Sequence, residues 1–483
     1  MTAPTPDRPP GRIALLIGRV SGGGDGAPGS LRDLRDSETA KAVGLAAAMI
    51  ANNLIALISS IVFAHLVGDY GSLAALVSYL LILTVFGQAM QVATAREAVL
   101  GHLGVGKALL ATMERWTRTL MLVTLALTVV SILARQPIAD LVGVKHYAWA
   151  AAAGLPAGCM YLEVSMLRGA LQGIGDYKSV GLSLVGEQGM RLIGGAILVV
   201  AGLGVGGAYL GSLISYVAMT LYCWWHLERQ LGGAGRLPGL LSPRTKMAPA
   251  VGLRRHVWSA WVAIAGLAVI QLLQNIDLIT AKHQFGTNVA SAYAVTAVAA
   301  KVLIWVAMGA GFYLVPEASR RRAAGEDTRP VLFGALAIVL VCAIPCLLIY
   351  AFAAHPLLSI VFGHKRAIAS DSLLPLGAAF TMLAATYLAV QYMLALKRTA
   401  FLLAIGAVAV LEPILLLQAA KRPGPFALVV LLVQALGAVL AFGMALRKGG
   451  PPPEATRPPS PRDTDETTKR DEQVLVLQTR AQA

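Results

Sequence analysis

Apolar residues gather along this chain in runs of about 20 or more, long enough to cross a hydrocarbon core of roughly 30 Å at 1.5 Å per residue. Windows such as Leu120–Ala134 carry no charge at all. Reading the runs in order predicts twelve membrane-spanning helices, near Val43–Val67, Ser72–Ala93, Thr119–Ala134, Tyr147–Leu167, Val180–Gly202, Gly207–Leu227, Val257–Ala281, Val289–Val315, Val331–Ala353, Ser372–Leu396, Ala400–Ala419 and Phe426–Leu446. The two ends read differently. Residues 1–38, with the low-complexity run Ser21–Gly26, and residues 447–483, with Pro451–Pro453, are rich in Pro, Gly and charge and are expected to be disordered tails.

Charge orders these spans. Of 40 Lys and Arg, roughly 31 fall in the two tails and alternate loops and about 7 in the remaining loops, with Arg191 and Lys301 inside spans. Moving one span in or out would scramble that segregation. An even number of crossings with both termini cytoplasmic is therefore expected. Composition agrees, at 57% hydrophobic and 13% charged. The net charge of +15 is explained by retained loops, and no aromatic and basic stripe suggests nucleic acid. Cys342 and Cys346 lie one helical turn apart, but no His or carboxylate joins them at ligand spacing, so neither a metal site nor a cofactor is expected.

The spans also hint at two six-helix halves, residues 39–227 and 256–446, joined by a basic cytoplasmic linker over 228–255. Asn52 and Asn53 in the first span, with Gly68 beyond it, are echoed by Gln271, Gln274 and Asn275 in the seventh, with Gly286 beyond. Asn53–Gly68 and Gln271–Gly286 share one separation, and Glu187 in the fifth span corresponds to Glu412 in the eleventh. Such a repeat about an axis along the membrane normal is used by some transporters.

An ionisable side chain at mid-bilayer costs roughly 2.5–3.5 kcal/mol on insertion scales, so each needs a reason. Glu163, Glu187, Arg191, Asp277, Lys301 and Glu412 are the candidates. Glu187 and Arg191 are four residues apart, acid first, and are expected to share a face; they either neutralise each other or line a cavity. Lys301 has no same-helix acid within a turn and sits too deep to snorkel easily, so it either finds a partner on another helix or faces an aqueous cavity, the reading favoured here. Asp277 falls nearer the outer end, where water reaches it more cheaply. Gln271, Gln274 and Asn275 either line the same cavity or bond between helices. Pro345 and Pro413 can bend their helices. No Walker loop, HExxH or Ser, His and Asp set appears, so a transporter is expected rather than an enzyme.

Four segments carry a family resemblance: FAHLVGDYG (Phe63–Gly71); RGALQGIGDYKS (Arg168–Ser179), followed by GEQGMRL and GLGVGGAYLGSLISY (Gly202–Tyr216); QNIDLITAKHQF (Gln274–Phe285); and YLVPEASR (Tyr313–Arg320). In their order and placement they resemble the Wzx-like polysaccharide flippase branch of the multidrug/oligosaccharidyl-lipid/polysaccharide exporter superfamily. The resemblance spans residues from about 40 to 446. It implies an all-α membrane protein with two six-helix bundles in a V around a central cavity. It implies alternating access and flipping of an undecaprenyl pyrophosphate-linked oligosaccharide across a bacterial plasma membrane, with membrane lipids and polysaccharide-assembly proteins as partners. Multidrug exporters and lipid II flippases are close relatives, and a membrane scaffold or enzyme of polysaccharide assembly is the rival reading. On this view Lys301, Arg191, Gln271, Gln274, Asn275, Asn52 and Asn53 are the substrate-binding candidates, and Glu187, Asp277, Glu412 and Glu163 are the ion-coupling candidates.

Overall fold

The computed structural model describes residues 38–232, 251–396 and 398–447. The expected tails, apart from the residues next to the bundle, and most of the expected linker lie outside the described residues. Twelve long helices carry the structure: α1 (Glu38–Leu66), α2 (Tyr70–Val99), α3 (Lys107–Leu133), α4 (Gly154–Gly173), α5 (Tyr177–Leu198), α6 (Gly204–Gln230), α7 (Trp261–Gln284), α8 (Thr287–Ala323), α9 (Arg329–Phe352), α10 (Leu373–Ala395), α11 (Phe401–Gln418) and α12 (Pro423–Ala445). Short helices such as Arg135–Val142 and Leu253–Ser259 join some of them, and no strand occurs among the described residues.

Eleven segments are long and apolar enough to cross a membrane. One of them, Tyr177–Gln230, has 54 residues and would stretch about 80 Å as one helix. It folds back on itself instead. Gly202 (φ 94°) and Gly204 (φ 52°) take left-handed conformations that only glycine adopts without strain. α6 then returns along α5 so closely that a Cβ on Gly211 would stand 2.7 Å from the carbonyl oxygen of Arg191. That hairpin contributes two crossings and brings the total to twelve, so the described chain begins and finishes at the same end of the bundle, called here the termini end.

Helix starts follow local chemistry. The string Gly-Asp-Tyr-x-Ser occurs at Gly68–Ser72 and again at Gly175–Ser179. In both places the Asp caps a helix: Asp69 accepts from the Ser72 amide and Asp176 from the Ser179 amide, each at 3.1 Å.

Packing repeats between the halves. α2 lies on α4, α1 on α5, α4 on α6, α5 on α6 and α3 on α4. The same pairs recur six helices later, as α8 on α10, α7 on α11, α10 on α12, α11 on α12 and α9 on α10. Small residues allow the closest of these contacts: a Cβ on Gly169 of α4 would lie 2.5 Å from the Gln91 carbonyl of α2. Between the halves, α2 packs along α7 and also touches α8, whereas α1 meets α8 only sparsely.

The outer surface is apolar. Val200, Phe352 and Leu403 are among many large hydrophobic side chains turned outward, at 80%, 87% and 86% exposure. Trp149, Trp225, Trp258 and Trp261 are exposed as well, matching the interfacial aromatic belts of membrane proteins. This is the surface of a multi-pass membrane protein, and Cys342 is part of it rather than of the core.

Candidate functional site

A cavity of about 270 Å³ lies between the halves. Its walls come from α1 and α2, from α4, α5 and α6 behind them, and from α7 and α8 opposite. Asn52, Asn53, Glu187, Arg191, Gln271, Gln274, Asn275 and Lys301 all line it. Asp277, Glu412 and Glu163 do not.

The end of the bundle away from the termini is cross-linked between the halves. Lys282 of α7 donates to both carboxylate oxygens of Asp69, at 3.0 and 3.1 Å. Burial alone would push the Asp69 carboxyl up, but the bonds from Ser72 and Lys282 outweigh it and hold the group below the usual carboxylate range. Arg366, ahead of α10, donates to the carbonyls of Ala64, Val67 and Gly68 at the C-terminal end of α1, at 3.1, 3.0 and 3.3 Å. A cation there also meets the negative end of the helix dipole. The Gly71 amide donates to Ser291 Oγ at 2.9 Å, and His283 Nε2 lies 3.0 Å from the Leu141 carbonyl.

At the termini end the segment before α7 is joined to the first half. His256, on the short helix before α7, is buried against the first half; its ring stacks on Trp116 at 4.8 Å and its Nε2 lies 3.1 Å from Thr94 Oγ1. Burial holds this imidazole below its ordinary pKa, so the ring packs as a neutral group. Trp116 Nε1 donates to the Val251 carbonyl at 3.1 Å.

Glu187 does not pair with Arg191. Its partner is Arg168 of α4, whose Nη1 donates to Glu187 Oε2 at 2.8 Å. Arg168 also donates from Nε to Ser183 Oγ at 2.8 Å and from Nη2 to the Ser183 carbonyl at 2.9 Å. The guanidinium is fully buried, so its five donors must find acceptors, and the turn of α5 from Ser183 to Glu187 supplies three. The charge count treats Arg168 as a loop residue because α4 runs on to Gly173, beyond its expected end. Its signal in the sequence was a lone basic residue just past an apolar run, which hydropathy alone assigns to water. Arg191 is thereby released. It is half-buried at the cavity wall, makes no ion pair among the described residues, and leaves its buried Nε without an acceptor.

The second half holds its own ionic group. Lys301 is 7% exposed and reaches Asn275 Oδ1 at 3.3 Å and Asp277 Oδ1 at 3.9 Å. Its Nζ also lies 5.4 Å from the centre of the Phe380 ring. Asp277 is fully buried, not water-reachable as its sequence position suggests, because Tyr293 folds over it and donates to Oδ2 at 3.3 Å. Glu412 of α11 accepts from Gln434 Nε2 at 3.2 and 3.1 Å and lies within electrostatic reach of both Asp277 and Lys301. Two carboxyls thus lie near one amine. Glu163 sits elsewhere, buried beside Thr117 at the α3–α4 contact. Tyr70, Tyr161, Tyr216 and Trp305 complete the cavity wall; sequence reasoning passes over them because aromatic residues are common in apolar spans. No cluster of metal-ligating side chains occurs among the described residues.

No family model matches the chain, and neither does any curated protein. Solved structures do. One is an inward-facing multidrug resistance MATE family transporter of the MOP superfamily, at 13% identity and a TM-score of 0.60, over 84% of this chain and 97% of that one. Another is the lipid II flippase MurJ in an inward closed conformation, at 15% identity and a TM-score of 0.64, over 83% and 87%. A third is a MOP superfamily transporter from Pyrococcus furiosus, at 13% identity and a TM-score of 0.55, over 87% and 98%. The chain has the fold of MOP-superfamily transporters.

Proposed function

We propose that this protein is a flippase that carries an undecaprenyl pyrophosphate-linked oligosaccharide precursor across a bacterial plasma membrane by alternating access. The observation that carries the reading is the charge of the cavity wall. Glu187 is already satisfied by Arg168, so Arg191 remains as a cation without an ion-pair partner on one wall. Lys301 faces the same space from the other half. A pyrophosphate crossing between leaflets needs such donors; the guanidinium offers a fork for phosphate oxygens and the ammonium a point charge. The lipid tail needs no protein path, since it can stay in the bilayer. The basic bias of the termini end supports placing that end in the cytoplasm. The distal seal then corresponds to a state that accepts cargo from the cytoplasmic leaflet.

With no nucleotide-binding loop in the sequence, an ion gradient is the driving force that fits. The Asp277, Lys301 and Glu412 group, two buried carboxyls near one amine, is the coupling element that fits best. A multidrug exporter is the second reading, favoured by the aromatic lining of Tyr70, Tyr161, Tyr216 and Trp305. Cationic drugs would meet the Arg191 guanidinium, which has no ion-pair partner among the described residues, and this weighs against it. The test is a cysteine at position 301 in a background without other reactive cysteines. A small hydrophilic thiol reagent should modify it, and added undecaprenyl pyrophosphate-linked sugar should protect it while a cationic dye does not. Protection by the dye alone would reverse the assignment.

A further inference from the structure

The α7 side of the cavity leaves neutral acceptors unsatisfied, and the α5 side adds a cationic donor. α7 presents Gln271, Gln274 and Asn275 to the space, at helical spacings that put them on one face. Gln271 Nε2 donates to the Leu81 carbonyl of α2 at 3.4 Å. A carbonyl takes only a donor, so this bond fixes which way the amide points and leaves Oε1 as a free acceptor. That oxygen is buried without a donor, and so is Oε1 of Gln274 one turn away. Each glutamine is only 6% exposed. Asn275 Oδ1, beside them on the face, is used by Lys301. Across the cavity α5 leaves a cationic donor, the buried Nε of Arg191, together with Oε1 of Gln188 one turn before it.

Buried acceptors without donors are uncommon in folded proteins and point to a group that is absent. Neutral carbonyl oxygens repel phosphate and accept from hydroxyl or amide N–H. An unpaired guanidinium does the reverse. We infer that Gln271 and Gln274 form a subsite for the hydroxyl and acetamido groups of the sugar, so that the cargo lies with its pyrophosphate toward Arg191 of α5 and its sugar against α7. This rests on the flippase reading and adds an orientation and a specificity determinant to it. A site that hydrogen-bonds a hydroxyl discriminates against an analogue lacking it, because its own polar groups are then stranded.

The test measures binding of two probes to the full-length protein in nanodiscs: undecaprenyl pyrophosphate, and undecaprenyl pyrophosphate carrying one N-acetylglucosamine. Wild type should bind the sugar-bearing lipid roughly tenfold more tightly, equivalent to about 1.4 kcal/mol. In Gln271→Leu with Gln274→Leu this ratio should fall to about one to two. Arg191→Gln should weaken both probes and keep the ratio, which controls for general damage to the cavity. Equal binding of the two lipids by wild type, or an unchanged ratio in the double variant, would overturn the subsite alone. Loss of both lipids in parallel in the double variant would do the same, since it marks a structural role. Failure of wild type to bind either lipid better than undecaprenol would overturn the flippase reading and the subsite with it.

Discussion

Removing one member of the Arg168–Glu187 pair should destabilise the protein, and the two members should not be equivalent. Arg168 is fully buried with three bonds to α5, and guanidinium cannot shed its proton. Glu187→Gln therefore strands a permanent buried charge, with an expected loss of about 3–5 kcal/mol. Glu187 is different, since it touches the cavity. Arg168→Gln should cost less, about 1–3 kcal/mol, set by the lost hydrogen bonds and the imperfectly solvated acid. Replacing both by apolar residues of similar size, Arg168→Met with Glu187→Leu, should return stability to within about 1 kcal/mol of wild type, because neither charge is left to desolvate. Melting temperatures of the four proteins in one detergent give the cycle. The expected order is wild type close to the double variant, then Arg168→Gln, then Glu187→Gln lowest. A double variant less stable than either single would refute the argument, as would Arg168→Gln indistinguishable from wild type.

Other expectations follow from the same geometry. Arg366→Ala removes three bonds to the end of α1, so a cysteine placed at Ala74, with the native cysteines replaced, should be labelled several-fold faster by an impermeant thiol reagent from the side away from the termini. The Asp69 carboxyl is held below its ordinary range, so its contribution is fully present above the ordinary carboxylate pKa of about 3.9 and is lost as pH falls through the lowered value. Accordingly, the melting-temperature gap between wild type and Asp69→Asn should be constant from neutral pH to about pH 5 and shrink only in stronger acid. Gly169→Val puts side-chain atoms where the Gln91 carbonyl already stands. It should lower stability by about 1–3 kcal/mol or more and reduce the amount of protein in the membrane, measured by quantitative immunoblot.

The helices were legible because a bilayer enforces long apolar runs, and the segregation of Lys and Arg fixed their number. The hairpin at Gly202–Gly204 was visible as a break between two runs, although the segment is apolar throughout. Lys301 and Arg191 stood out because a charge at mid-depth has no inexpensive local explanation. Partner choice was not legible. The i, i+4 spacing of Glu187 and Arg191 is a local rule, and it yields here to Arg168, which only the α4–α5 packing brings within 2.8 Å. Asp277 was misread for the same reason: depth along a helix says how far water is, but not that Tyr293 of the next helix covers the carboxyl. The free acceptors of Gln271 and Gln274 are likewise tertiary facts, since polar residues on a span serve helix contacts and cavities alike.

The most direct test of the account is movement of the cargo itself. Purified protein would be reconstituted into liposomes containing undecaprenyl pyrophosphate-linked oligosaccharide, and the fraction of sugar reachable by an external sugar-binding protein followed over time. The account predicts that wild type moves the lipid between leaflets, that Arg191→Gln with Lys301→Ala abolishes the movement at equal reconstituted protein, and that Arg168→Met with Glu187→Leu largely retains it. No movement by wild type above empty liposomes, or full movement by the Arg191 and Lys301 variant, would contradict it.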